Sequence, residues 1–189
     1  MKALEEKILQ EGEVVDGDIL KVDGFVNHQV DALLMEEIGK DMAEHFKGQG
    51  ITKVFTIESS GIAPALFTAK ELGVPLVILK KQQTADSLKT EVWQTEVVSY
   101  TKDTSYRLTL AKNYISDEDH VLIVDDFLAN GEAATGAIRL IRKAHATVAG
   151  LGVLIEKAFQ PGHEKLESQG IHVYAQASIK AFENGKVVF

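Results

Sequence analysis

The chain has 189 residues and a formal net charge of -8, with 45% of residues hydrophobic and 25% charged, which places it among folded chains long enough for one domain with a substantial core. The acidic balance argues against a nucleic-acid or anionic-membrane surface, because either needs a basic face. The chain has no cysteine, which excludes disulfides and thiolate metal sites; no apolar run reaches membrane length, and no basic-then-apolar leader opens it, so a cytoplasmic protein of one domain, residues 1–189, is expected.

Residues 2–10 carry Leu4 and Ile8 four apart, the spacing of a short amphipathic helix. Asp16-Gly17 and Asp23-Gly24 mark turns on either side of Ile19–Val22. From Val30 to Phe46, the residues Leu33, Leu34, Ile38, Met42 and Phe46 form an apolar helical stripe that reads as core. Three strand–helix alternations follow. Val54–Ile57 precedes a helix over 63–72, Val74–Leu79 precedes a polar stretch, and Val121–Val124 precedes a helix ending near His145. A strand over 149–155, a helix near 163–169 and a strand near 171–174 complete the chain. This rhythm predicts an α/β fold with a central, mostly parallel sheet flanked by helices. No internal repeat interrupts it. The interval from Lys80 to Tyr106 is polar and irregular, and excursions of this length in compact domains are functional or disordered.

The most informative segment is residues 121–136, Val-Leu-Ile-Val-Asp-Asp-Phe-Leu-Ala-Asn-Gly-Glu-Ala-Ala-Thr-Gly. An uncharged strand bounded by charge suits a sheet interior, and it delivers Asp125 and Asp126 to the strand's carboxyl end, where open α/β sheets bind ligands. Asn130 and Gly131 then open a helix, whose first backbone N–H groups lack intrahelical partners and suit a phosphate. Carboxylates that accept hydroxyls beside a phosphate cradle fit a ribose 5-phosphate. A second loop, Glu58-Ser59-Ser60-Gly61-Ile62-Ala63-Pro64, lies between strand and helix; it has either the flexibility and hydroxyls of a phosphate loop or the make-up of a plain turn with Ser60 as helix cap. Lys157 reads as a strand-end gatekeeper or a ligand donor. Phe127 reads as core or a base-stacking ring. Asn27 reads as a helix cap or a paired donor and acceptor. Six histidines are scattered without metal-binding spacing.

Residues 121–136 resemble the signature of type I phosphoribosyltransferases. The words Leu20–His28, Thr56–Pro64 and Ile155–Gly162 narrow the resemblance to bacterial xanthine phosphoribosyltransferases, over essentially the whole chain. The resemblance implies the type I phosphoribosyltransferase fold, with a small N-terminal hood built mainly from residues 1–30 and the C-terminal segment. It implies a flexible lid between Lys80 and Tyr106. It implies transfer of phosphoribose from phosphoribosyl pyrophosphate to N9 of xanthine, with magnesium as cofactor, in a homodimer. By the same resemblance Asp125 and Asp126 hold the ribose hydroxyls, directly or through the water shell of magnesium, and Ala129, Asn130, Gly131, Glu132 and Ala133 cradle the 5-phosphate. Ser59, Ser60 and Gly61 take pyrophosphate; Lys80 and Lys81, which open the lid, read as exposed charge or as the cations an acidic protein needs to capture that pyrophosphate. Leu20, Asn27, Lys157 and Phe127 form the xanthine site, with Lys157 donating to the 6-oxo group and N7. Ala129 departs from the hypoxanthine-guanine enzymes, which carry aspartate there, and this removes a general base from the loop. The alternatives are an enzyme for another 6-oxo purine and a phosphoribosyl-pyrophosphate sensor that controls transcription. The sensor lacks its basic DNA-binding module here, because the net charge has the wrong sign.

Overall fold

Uncharged runs flanked by charge supply the middle strands of a seven-stranded sheet. The computed structural model describes residues 1–82, 85–99 and 104–189. Its elements are α1 (Lys2–Glu11), β1 (Glu13–Val15), β2 (Ile19–Lys21), a π turn over Asp23–Asn27, α2 (Ala32–His45), β3 (Lys53–Ile57), α3 (Ile62–Leu72), β4 (Leu76–Lys81), α4 (Ala85–Leu88), β5 (Val92–Ser99), β6 (Thr104–Ala111), β7 (His120–Leu128), α5 (Glu132–Lys143), β8 (Thr147–Lys157), α6 (Gly162–Glu167), β9 (Val173–Ile179), β10 (Ala181–Glu183) and β11 (Lys186–Val188). The sheet order is β5-β6-β4-β3-β7-β8-β9. The five strands from β4 to β9 pair in parallel, and β6 joins β4 antiparallel.

Helices cover both faces, as parallel sheets require. On one face α5 buries Ala134, Ala137, Ile138, Leu140 and Ile141 against Val121, Ile123, Leu151 and Val153. On the other, Met42 of α2, Phe46 just after it, and Ala65 and Ala69 of α3 pack on Val54, Leu122 and Val124. A third cluster joins α1, Leu20, Val22 and Phe25 to Ile155 and Ile179, and the partly buried Phe182, Val187 and Phe189 of the C-terminus pack against it. At the amino-terminal edge of the sheet the buried Asp119 accepts from Lys53 Nζ at 2.9 Å, Thr52 Oγ1 at 2.8 Å and Ser116 N at 2.8 Å. Burial alone would raise that carboxyl, but these donors outweigh it and hold its pKa below the usual carboxylate value. Among the described residues no helix is long and apolar enough to cross a membrane.

Four details differ from the sequence expectation. First, β7 continues to Leu128, so Asp125 and Asp126 lie within a strand rather than at its exit. The uncharged strand beside it provides the reason: Asp125 pairs with Val153 and Phe127 with Ile155, and this ladder outweighs the poor strand propensity of aspartate. Second, Leu33 is 75% exposed, because α2 turns Leu34, Met35 and Ile38 inward instead. Third, the interval 80–106 contains most of a β5–β6 hairpin, paired from Val92–Ala111 to Ser99–Thr104, while residues 83, 84 and 100–103 of the expected lid lie outside the described residues. The hairpin rests on α5, where Arg139 donates to the Glu96 carbonyl at 2.7 Å and Lys143 to the Gln94 carbonyl at 2.5 Å. Fourth, the chain ends in a further hairpin, β10–β11, whose turn dipeptide Asn184-Gly185 has both residues at positive φ.

The contact between α2 and α3 depends on a missing side chain. A Cβ at Gly39 would stand 2.6 Å from Phe67 Cβ and 2.7 Å from the Phe67 carbonyl carbon. Gly39→Ala improves helix propensity by about 1 kcal/mol but overpacks a backbone contact at about 1 to 3 kcal/mol, so net destabilisation is expected. Thermal denaturation checks this, and an unchanged or higher melting temperature would show that the helices separate freely.

Candidate active site

The strand ends enclose a cavity of about 400 Å³, lined by Glu58, Ser59 and Ser60 after β3, Lys81 at the end of β4, Tyr106 on β6, Asp125–Leu128 of β7 and Ala129–Ala134 leading into α5. Parallel register gathers these segments: Phe55 is level with Ile123, and Ile123 with Leu151, so the loops after neighbouring strands open on one edge. Of the residues singled out from sequence, Ser59, Ser60, Lys81, Asp125, Asp126, Phe127, Ala129, Asn130, Gly131, Glu132 and Ala133 share this cavity.

Gly61 sits beneath the loop. A Cβ there would strike Thr56 Oγ1 and stand 2.7 Å from Asp125 Oδ1, so glycine allows the β3–α3 loop to lie on the acid pair. Gly61 is itself the residue before α3, with no side-chain cap, so the alternative of a plain turn with Ser60 as helix cap does not hold. The peptide between Glu58 and Ser59 is cis. Glu58 ties this loop to β4: it accepts from Lys81 N at 2.5 Å and lies 3.7 Å from Lys80 Nζ. Lys80 therefore faces Glu58 and lies outside the cavity lining, whereas Lys81 lies in it. The Lys81 ammonium also stands 5.1 Å from the Tyr106 ring centroid, within cation–π range. On the opposite side Gly131, at φ 81°, turns the chain into α5, and its carbonyl accepts from Thr135 N at 2.9 Å and Thr135 Oγ1 at 2.7 Å.

The acid pair is electrostatically loaded. Burial, then the neighbouring Asp126 charge, push the Asp125 carboxyl well above the usual carboxylate range, although Asp126 N donates to it at 3.0 Å and Lys81 pulls the other way. Tyr106 is likewise raised, first by burial and then by the charges of Asp125 and Glu132. A cationic or hydroxyl-bearing ligand would relieve both. The donors are oxygens only, which suits a hard cation such as magnesium. Among the described residues no cluster of three or more His, Cys, Asp or Glu could hold a metal, so ligand oxygens would have to complete any coordination shell.

The expected base-site residues are dispersed. Leu20 is buried in the hood cluster, and Asn27 is exposed, with Nδ2 3.5 Å from Asp23 Oδ1. The cap of α2 is Asp31, which accepts from Leu34 N, so Asn27 does not serve as that cap. Lys157 is drawn to the hood, where Nζ donates to the Asp18 carbonyl at 2.7 Å and lies 5.8 Å from the Phe182 ring. Phe127 alone of the four lines the cavity, and it also packs against the hood cluster. Sequence reasoning missed Glu58 and Tyr106. Glu58 lies in the loop with Ser59 and Ser60, where its position beside them is the signal, whereas nothing local to Tyr106 reveals that β6 brings it to β4.

The raised Asp125 makes a prediction about stability. A carboxyl whose folded pKa lies above its unfolded value is penalised once ionised, so the penalty is absent below an ordinary carboxylate pKa of about 4 and present above it. Asp125→Asn is therefore expected to raise the melting temperature of the ligand-free protein at neutral pH, with the gain shrinking as pH falls toward about 4. A melting temperature lowered equally at both pH values would contradict this.

The phosphoribosyl transferase domain model matches residues 27–179. A curated xanthine phosphoribosyltransferase of Agathobacter rectalis is 57% identical over 189 residues, covering 100% of this chain and 98% of the relative. One of Clostridium botulinum is 55% identical over 98% of this chain and 97% of the relative. Among solved structures, an adenine phosphoribosyltransferase from Thermoanaerobacter pseudethanolicus superposes with a TM-score of 0.78, covering 93% of this chain and 99% of that one, at 23% identity, which speaks for the fold alone. The acid pair, the two loops opening on its cavity and these full-length likenesses agree: the chain belongs to the phosphoribosyltransferase family, in its bacterial xanthine phosphoribosyltransferase branch.

Proposed function

We propose that the protein transfers the 5-phosphoribosyl group from phosphoribosyl pyrophosphate to N9 of xanthine, releasing pyrophosphate and forming xanthosine monophosphate in purine salvage. The observation that carries this reading is the meeting of Asp125, Asp126, the Ser59–Ser60 loop and the start of α5 around one cavity. In this reading Asp125 and Asp126 accept the ribose hydroxyls, and the segment from Ala129 to Ala133 receives the 5-phosphate at a helix start. Ser59, Ser60 and the backbone at Gly61 face the pyrophosphate, with Lys81 as the cation beside it and Lys80 available if its contact with Glu58 opens. Magnesium, held by Asp125 and Asp126 directly or through water, would neutralise charge on the leaving group. The bond from the anomeric carbon to pyrophosphate breaks as the bond to N9 forms, and the loop donors stabilise the departing oxygens. Ala129 offers no base, and xanthine is acidic enough to react in part as its anion.

For the base we propose the space between Phe127 and the hood of residues 1–30 and 181–189. Here Lys157 would exchange its Asp18 carbonyl for the purine 6-oxo group, and Leu20 and Asn27 would close the 2-oxo side. The reading also carries a homodimer, supported by the exposed Leu33 and Leu66 on the paired helices α2 and α3. A cytoplasmic location follows from the charged substrate and product, which do not cross membranes unaided.

A panel of xanthine, guanine, hypoxanthine and adenine with phosphoribosyl pyrophosphate and magnesium tests the function; xanthine is expected to be the best acceptor, and transfer to adenine alone would overturn the base assignment. In the same assay Asp126→Asn is expected to cut turnover by about 100-fold or more, the scale of losing a group that stabilises developing charge. A folded Asp126→Asn enzyme at full rate would remove the acid pair from the mechanism. Lys157→Ala is expected to weaken all three oxo-purines, because it removes a charge-assisted donor common to them. Asn27→Ala is expected to lower the preference for xanthine over hypoxanthine by about tenfold, the worth of one lost buried hydrogen bond. Equal losses on both purines would return Asn27 to a structural role.

A further inference from the structure

Behind the phosphate loop, on the side away from the cavity, two backbones touch. Gly162 N donates to the Ala129 carbonyl at 3.0 Å, and a Cβ on Gly162 would strike that carbonyl and stand 3.0 Å from Gly131 N. A Cβ on Gly131 would in turn stand 3.4 Å from Gly162 Cα and 3.6 Å from Leu166 Cδ1. The start of α6 is thus the floor on which the turn from Ala129 to Gly131 lies, and any drift of α6 is felt by the loop.

The next residue fixes that floor. His163 Nδ1 lies 2.6 Å from Glu156 Oε2, and Nε2 lies 3.3 Å from Glu167 Oε1. Glu156 is 6% exposed on β8, and its second oxygen accepts from Ser178 Oγ on β9 at 2.6 Å, so the carboxylate cannot swing away. We infer that His163 and Glu156 are positioning residues for the phosphate loop, with the pair holding α6 against Ala129 and Gly131 so that the loop keeps the shape that receives a sugar phosphate. This inference rests on the phosphoribosyl reading of the cavity. Neither side chain lines that cavity, so both act through Gly162.

The clamp has a protonation dependence. The charged and titratable groups around His163 are Glu156 from β8 and Glu164 and Glu167 from α6, all lining an open pocket of about 490 Å³ through which protons reach the ring. Burial would lower the imidazole, but the Glu156 and Glu167 carboxylates outweigh it and hold its pKa above the usual histidine value. Protonated, the ring donates from both nitrogens and bridges the two acids. Neutral, it has one N–H and must release one of them. The clamp is therefore complete below the ordinary histidine pKa and weakens as pH rises through the raised one.

The test is calorimetric binding of phosphoribosyl pyrophosphate with magnesium to the full-length wild type, His163→Gln and His163→Arg, at about pH 6 and about pH 9, with melting temperatures alongside. At the lower pH His163→Gln is expected to bind roughly fivefold more weakly than wild type, the lower end of ordinary coupling between linked sites, with the KM for the purine unchanged. His163→Arg, charged at both pH values, is expected to restore affinity and to lose less of it at high pH than wild type does. Equal affinities of wild type and His163→Gln at the lower pH would overturn the inference. If His163→Gln fails to fold, the comparison of wild type with His163→Arg decides, and identical pH dependence overturns it. A wild type that binds no phosphoribosyl pyrophosphate at either pH would overturn the functional reading and this inference with it, an outcome distinct from a wild type that binds and variants that match it.

Discussion

Everything at the site depends on the parallel pairing of β3, β7 and β8. Parallel neighbours leave the sheet at the same edge, so the Ser59–Ser60 loop after β3 and the acids of β7 come together although they lie far apart in the sequence. An antiparallel pairing would send alternate loops to opposite edges. The pairing is held from the far end as well, where Asp119 joins the start of β3 to the turn before β7 through Lys53, Thr52 and Ser116. That anchor fixes the relative height of the two strands, and with it the height of Ser59 against Asp125.

The site also concentrates charge that the fold by itself would reject. Two adjacent carboxylates within β7, with Glu58 and Glu132 on the same cavity and Lys81 as the nearby ammonium, form an arrangement that a hydroxyl-bearing ligand or a cation would relieve. Glu58 has a mixed part in this. It orders the β4 end through Lys81 N, yet it also occupies Lys80, a cation that the leaving group would otherwise attract. An anion drawn to Lys80 would therefore have to compete with Glu58 for it.

What the sequence reveals depends on how local the signal is. The alternation of apolar strands with helices is written in short windows, and so are the glycine- and serine-bearing loops; hence the sheet, the helices and the phosphate-loop candidates could be read from residues alone. The length of β7 could not, because Asp125 and Asp126 break its pattern and only the neighbouring run Leu151–Ile155 carries the ladder onward. Tyr106 enters the cavity by an antiparallel step from β6 to β4 that no single window contains. The proposed base site is the least legible part. Leu20, Asn27 and Lys157 come from distant segments, and the structure holds Lys157 on the Asp18 carbonyl rather than in the cavity. Only the resemblance named them together.

The clasp between α5 and the β5–β6 hairpin uses Arg139 and Lys143, and both donate to main-chain carbonyls, those of Glu96 and Gln94. Every amino acid carries that oxygen. These two links between the hairpin and α5 are thereby independent of which side chains stand at Gln94 and Glu96. The corresponding freedom does not extend to α5, where the long cationic side chains make the grip, nor to Gly136, where a Cβ would stand 2.5 Å from Val97 Cγ2. The contact thus tolerates change at Gln94 and Glu96, where only the main chain is gripped, and not at Val97, which is buried against α5.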